Sequence, residues 1–482
     1  MDFSHIQPTA LWQHFAALNA VPRPSKKEER VIAFMKAFGQ NLGLTTIVDQ
    51  AGNVIIKKAA TAGMEDRQTV ILQSHLDMVH QKNASTFFDF DQQGIEMYQD
   101  GDWIRAKGTT LGADNGIGVA AIMALLSSTD IPHPALEAFF TIDEETGMTG
   151  AKEMDASLLS GTILLNLDTE DDDELSVGCA GGIDTNTSYT YQEVPIQNGF
   201  STLEIQLSGL LGGHSGMDID KGRGNANKWM ARLLWELSHE QHIQLLHFDG
   251  GSLRNAIPRE ATAIIAVQDT VKALTQINAF AHILKDEYTL IEPHFVLKAE
   301  STQSLLHALS DLDFKKIIAT LCGVQNGVYR MSPDIIGLVE ASSSLARVII
   351  DKGSFTSQSL QRSSVESTKK EVSMTLRCAF ENMGATVEQS GDYPGWKPNS
   401  QSLILKEMRG LYRTLFNEEP KVKACHAGLE CGLLSEKLPG VDMISFGPNI
   451  RAAHSPDECV QISSVQKFWT YLLASLSQIP KA

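Results

Sequence analysis

TVILQSHLD (69–77) runs from β-branched and apolar residues directly into a histidine and an aspartate. Thr69–Gln73 reads as a buried strand, entered from polar Glu65-Asp66-Arg67 and left at His75. Residues two apart on a strand point the same way, so His75 and Asp77 leave together from its C-terminal end. Ala135–Ile142 repeats the arrangement and runs into Asp143-Glu144-Glu145-Thr146-Gly147, and Thr162–Leu167 runs into Asp168. Between the first two strands, GIGVAAIMALLS (116–127) reads as a helix rich in small residues, suited to close packing on a sheet. Strands separated by helical segments predict an α/β layer with helices on both faces.

Further along, from about Ser201, the texture changes. Ser201–Leu207 alternates like a half-exposed strand, Asn225–Leu237 reads as a helix, Ala261–Val267 as a strand, and Val271–Tyr288 as a longer helix. A similar order recurs over 292–390, with helices expected at Gln303–Leu321 and Ser367–Met383. This is the split βαβ pattern, which the order would allow twice. The turn Gly391–Trp396 marks the exit, and Asp442–Phe446 returns to strand. The expected organisation is a catalytic domain, 1–191 and 391–482, interrupted by an inserted α+β domain, 192–390.

The chain has 482 residues, beyond the size at which one core stops growing, so two domains are expected. Apolar residues make up 43% and charged residues 20%, an ordinary globular balance. With 40 basic and 58 acidic residues the net charge is −18, which argues against nucleic acid or an anionic membrane as partner. No run of about 18 apolar residues occurs, and MDFSHIQPTALWQHF lacks a basic n-region before an apolar one. Six cysteines without CxxC spacing fit reduced, small side chains. The expectation is a cytoplasmic protein.

Taken singly, the polar residues at the strand ends are ambiguous. His75 and Asp77 could be a structural hydrogen-bonded pair, Asp77 could orient a metal-bound His75, or it could ligate directly. Asp114, in GADNG (112–116), suits a helix N-cap as well as a cleft carboxylate. Three adjacent acids at 143–145 could be a solvated loop. Their coincidence is what points to chemistry. Asp, Glu and His, without Cys, end several strands of one expected sheet where open α/β sheets place their ligands, and His454 follows the last strand. Five O/N ligands, His75, Asp114, Glu145, Asp168 and His454, around a shared carboxylate suit two zinc ions, with cobalt or manganese as alternatives. Glu144 beside them would be the general base toward a water, which makes the chain a two-metal hydrolase. Gly116-Ile117-Gly118 lacks the full fingerprint of a nucleotide loop.

The sequence also resembles the bacterial aminoacyl-histidine dipeptidases (Xaa-His dipeptidases, carnosinase-type), within the larger group of co-catalytic zinc peptidases and aminoacylases. The resemblance is carried in order by QSHLDMV (73–79), RAKGTTLGADNGIG (105–118), TIDEETGM (141–148), LNLDTE (165–170) and VGCAGGID (177–184). It continues through GLLGGHSGMDI (209–219), GNANK (224–228), GGSLRNAIPRE (250–260), YPGWKP (393–398), HAGLECGLL (426–434) and HSPDE (454–458). It implies a zinc-peptidase-like catalytic domain whose inserted domain is a lid and dimerisation domain, and hence a homodimer. His75, Asp114 and Asp168 would hold one metal, and Asp114, Glu145 and His454 the other. Glu144 would serve as base and then as acid, and Asp77 would orient His75. His214 would polarise the substrate carbonyl, Asn255 and Arg362 would bind its polar groups, and Gly428 would line the pocket. The implied substrates are unblocked dipeptides with a C-terminal histidine. An aminoacylase, a tripeptidase or a broad dipeptidase would use the same metals, and a catalytically inactive metal-binding or assembly protein would keep the ligands without needing Glu144.

Overall fold

The structure, a computed structural model, describes Phe3, residues 5–303 and residues 306–482. The chain divides into two compact units, Met1–Gly178 with Pro398–Ala424 and Glu430–Ala482, and Cys179–Lys397 with Cys425–Leu429.

The first unit is built on an eight-stranded mixed sheet. Its strands lie in the order Thr45–Val48, Val54–Lys58, Leu136–Thr141, Val70–His75, Ile163–Asn166, Asp442–Ser445, Glu174–Cys179 and Lys421–Cys425. The four from Leu136–Thr141 to Asp442–Ser445 run parallel, and the pairings that flank them are antiparallel. Parallel strands covered on both faces read as unbroken apolar runs. Val70–His75, Leu136–Thr141 and Ile163–Asn166 are accordingly buried at every position. Because they are parallel and in register (Gln73 opposite Asn166, His75 opposite Thr141), their C-terminal ends come out together.

The small-residue helix spans Ala113–Ser127. A Cβ on Gly118 would stand 2.5 Å from Ser74 Oγ and 2.6 Å from the Leu167 carbonyl oxygen, so only glycine lets this helix lie against the strand ends. Gly118→Val should therefore destabilise the chain by about 1–3 kcal/mol, read as a lower melting temperature with chelator present. A separate four-stranded sheet orders Ile450–Arg451, Cys459–Gln461, Trp103–Ala106 and Met97–Asp100. It sets the loop carrying His454 beside the chain that leads into Asp114. On the Asp442–Ser445 side, Phe446 meets Phe468 at 5.6 Å and Tyr471 at 5.3 Å between ring centroids, which packs helix Ile462–Ser477.

The second unit contains a nine-stranded antiparallel sheet. Eight of its strands follow the order Val296–Ser301, Ser201–Ser208, Ala261–Val267, Ile243–Gly250, Val339–Asp351, Ser354–Ser363, Gly181–Thr190 and Thr386–Tyr393; Gly327–Met331 adds to Val339–Asp351. The first four, with helices Ala226–Glu240 and Thr270–Tyr288, form one split βαβ half, and the last four, with Asp311–Gly323 and Glu366–Met383, form the second. The halves join where Phe248 pairs with Ile350.

Two expectations change here. The first strand of the second half is Gly181–Thr190, expected with the catalytic part; it pairs with Ser354–Ser363 and Thr386–Tyr393, so the unit begins at Cys179 and ends at Lys397. The helix expected over Gln303–Leu321 starts only at Asp311, where Ser310 caps it by accepting from Asp313 N, and His307–Leu309 is a strand. Ser304 and Leu305, inside that expectation, lie outside the described residues. Among the described residues, no helix is long and apolar enough to cross a membrane.

Candidate metal centre

The strand ends of the first unit converge on two groups of potential ligands, His75, Asp114 and Asp168, and Asp114, Glu145 and His454. Within each group the ligand atoms all lie within 4.8 Å of one another. His75 Nε2 is 3.1 Å from Asp114 Oδ1 and 3.6 Å from Asp168 Oδ1. His454 Nε2 is 3.3 Å from Asp114 Oδ2 and 2.9 Å from Glu145 Oε2. Each oxygen of Asp114 thus faces a different imidazole, the arrangement of a shared carboxylate. The helix N-cap alternative does not describe its side chain: the backbone kinks at Asp114 and Asn115, and both Asp114 oxygens go to imidazoles, not to helix N–H groups. Asn115 donates through Nδ2 to the Leu167 carbonyl at 2.7 Å and to the Asp168 carboxylate, tying the turn to the neighbouring strand end.

Asp77 takes no place in either group. It is fully buried, its Oδ1 lies 3.5 Å from His75 Nδ1, and its oxygens accept from Ser25 Oγ (2.8 Å), Glu144 N (3.0 Å) and Glu145 N (3.3 Å). The carboxylate thus stands beside His75, whose Nδ1 lies 3.2 Å from the Asp77 carbonyl oxygen, and it holds the turn that presents Glu144 and Glu145. The three adjacent acids divide their work. Asp143, at φ 56°, closes the turn by accepting from Thr146, Thr149 and Lys26, Glu145 joins a ligand group, and Glu144 joins neither.

The electrostatics favour cations at this place. Burial works to raise Asp114, yet its hydrogen bonds to His454 and His75 hold it well below the usual carboxylate range. Asp168, buried and beside that charge, is pushed well up. His454, half-exposed, is raised to about 11 by Asp114 and Glu145. Burial lifts Glu144 to about 8 against the pull of His75, with Glu430, Glu145 and Asp114 adding to the rise. Glu145 Oε1 is buried without a hydrogen-bond partner. This cluster carries more buried carboxylate than its two imidazoles can compensate, and its donors are O and N only, the set that divalent zinc, cobalt or manganese accepts. The residues fit such ions.

Two supporting residues, Arg23 and Glu458, escaped the sequence reading, and a third, Glu430, could not be told there from a locally hydrogen-bonded residue. Arg23, buried, donates to the carbonyls of Leu76, Asp77 and Gly112. Glu430 Oε2 accepts from Gln73 Nε2 (2.6 Å) and Thr141 Oγ1 (2.9 Å), linking two strand ends beneath the ligands. Glu458, inside HSPDE, binds the Asp114 turn. None carries a local signal, because the partners named are distant along the chain; only a buried charge among polar groups of other segments identifies them.

His214, Asn255, Arg362 and Gly428 all belong to the second unit. His214 Nδ1 accepts from Gly216 N (3.2 Å) and Met217 N (3.0 Å), and burial with the Arg362 charge lowers its pKa. The ring is therefore neutral with its proton on Nε2. Arg362 Nη2 lies 3.5 Å from that nitrogen, while Nη1 donates to Tyr393 Oη at 2.9 Å. Two donors side by side cannot satisfy each other, and Arg362 Nε is buried without a partner. The pair suits an oxygen acceptor from outside the chain. Asn255 adjoins through its carbonyl, which accepts from Ser215 N at 2.8 Å. A Cβ on Gly428 would stand 2.9 Å from the Tyr393 ring, so that glycine lies directly against the ring.

Residues 71–478 match peptidase family M20/M25/M40. The cytosol non-specific dipeptidase of Escherichia coli K12 is 41% identical over 483 aligned residues, covering 99% of each chain. The crystal structure of aminoacylhistidine dipeptidase from Vibrio alginolyticus superposes with a TM-score of 0.97 at 43% identity, covering 100% of this chain and 99% of that one. The aminopeptidase PepT of Bacillus cereus shares the fold at 16% identity and a TM-score of 0.57, covering 98% of this chain and 99% of that one.

Proposed function

This chain belongs to peptidase family M20/M25/M40, and on that premise we propose that it hydrolyses unblocked dipeptides, preferring a C-terminal histidine, with two divalent metal ions bound at His75, Asp114, Glu145, Asp168 and His454. The observation that carries this reading is Asp114, whose two oxygens face the imidazoles of two separate ligand groups. The relatives' names differ on substrate, one non-specific and one aminoacyl-histidine, so the histidine preference is the finer part of the proposal.

Bound cations would polarise the scissile carbonyl and make an adjacent water more acidic. Glu144, outside both ligand groups and held by Asp77 through its backbone N–H, removes a proton from the attacking water as the water oxygen bonds to the carbonyl carbon. It returns that proton to the amine nitrogen as the C–N bond breaks. Asp77 keeps His75 in one tautomer throughout. His214, donating from Nε2, is assigned to the carbonyl oxygen. Arg362 is assigned to the free carboxylate of the dipeptide, with Asn255 and the Gly428 backbone completing the recognition. Zinc is the metal we propose. The second unit is proposed as lid and homodimer interface, and the cytoplasm as the location.

The test is steady-state hydrolysis of β-alanyl-histidine, alanyl-histidine, alanyl-leucine and an N-acetyl amino acid by chelator-stripped protein with zinc, cobalt or manganese added. Metal-dependent cleavage favouring the histidyl dipeptides is expected. Equal rates on alanyl-leucine would leave a broad dipeptidase, and cleavage of the acetylated substrate alone an aminoacylase. Bound metal without turnover would leave a binding protein.

A further inference from the structure

Leu111, Gly112, Ala113 and Asp114 present four consecutive backbone N–H groups, and all four donate to one side chain. Glu458 Oε2 accepts from Leu111 (2.7 Å) and Gly112 (2.9 Å), and Oε1 from Ala113 (2.8 Å) and Asp114 (3.2 Å). Glu458 is 2% exposed. Both oxygens serve as acceptors, each for two N–H groups, the use a carboxylate suits. Successive N–H groups that converge at the start of a helix form an anion-binding nest, and Gly112, at φ 69°, supplies the bend that aims them. From the other side Arg23 Nη2 donates to the Gly112 carbonyl at 2.6 Å, while its Nη1 donates to the carbonyls of Leu76 and Asp77, both at 3.0 Å. The turn that carries Asp114 is gripped at its N–H groups by the Glu458 carboxyl group and at a carbonyl by the Arg23 guanidinium.

Glu458 also sits four residues beyond His454, on the hairpin between Ile450–Arg451 and Cys459–Gln461. The carboxylate that binds the Asp114 turn is therefore part of the same short hairpin as His454. Asp114 faces His75 and His454, so a shift of the turn relative to the hairpin would separate the second ligand group while leaving His75 on its strand and Asp168 just past the end of its own.

We infer that Glu458 is a positioning residue for metal binding: it makes the Asp114 turn and the His454 hairpin one rigid part, so that Asp114, Glu145 and His454 meet as a ligand set. This rests on the two-metal reading above. The competing role is a helix cap that adds stability and nothing else.

The two roles separate in one comparison. Full-length parent and Glu458→Gln are stripped with chelator, titrated with zinc against a chromogenic chelator, and melted with and without zinc. Glutamine has nearly the same shape, but it offers a single acceptor oxygen and sets an NH2 group against the N–H donors. Zinc binding at one of the two equivalents should weaken about 10–100-fold, and the rise in melting temperature on adding zinc should shrink. Glu458→Asp, which keeps both oxygens one methylene shorter, should recover part of the affinity. If Glu458→Gln lowers both melting curves equally and leaves the zinc titration as in the parent, Glu458 is only a cap and the inference fails. Should that variant not fold, Glu458→Asp carries the same measurements, and parental zinc affinity in it overturns the inference. A parent that binds no zinc sinks the two-metal reading itself, and this inference with it.

Discussion

Glu144→Ala should lose about 10²–10⁴-fold in kcat, the range for removing a general acid–base group, while retaining both metal ions and nearly the parental KM. Glu144 stands in neither ligand group, and its backbone N–H, not its side chain, is what Asp77 holds. Truncating the side chain therefore leaves the turn and Glu145 in place. It also removes one buried carboxylate that competes for positive charge with Asp114 and Glu145. Metal content by elemental analysis and kinetics on the same preparation check this together. Metal loss as severe as that from removing a ligand would show that Glu144 ligates and that some other group is the base.

Asp114→Ala should have the opposite pattern. Asp114 is common to both ligand groups, and its removal leaves His75 with Asp168, and Glu145 with His454. Both sites should weaken, by at least about 100-fold, and activity should fall with occupancy and recover in part at high zinc. Asp168→Ala, which takes a ligand from one group only, should keep roughly one equivalent. If Asp114→Ala and Asp168→Ala lose the same single equivalent, Asp114 is not shared.

Most of what these predictions need could be read from the chain before any coordinates. Parallel, doubly buried strands are unbroken apolar runs, so Val70–His75, Leu136–Thr141 and Ile163–Asn166 stood out, and the polar residues at their ends fell at one edge of the sheet. Glu145 as a ligand and Glu144 as the base were legible there, but the part Asp143 plays in presenting them did not stand out. It depends on a positive φ at Asp143 and on Lys26, Thr146 and Thr149 closing around it. The second unit was legible as βαβ texture, but an antiparallel strand bears no mark of its partners. Gly181–Thr190 follows the catalytic strands in sequence and pairs with strands more than 150 residues later. Arg23 and Glu458 were hidden for a related reason. Their partners are mainly backbone groups, and backbone groups leave no trace in composition.

The measurement closest to the central claim is a zinc titration of the chelator-stripped chain, with β-alanyl-histidine hydrolysis followed in the same samples. Two equivalents should bind per chain, and activity should be absent with chelator and complete once both are filled. Hydrolysis that persists in chelator, or a chain saturated by a single equivalent, would contradict it.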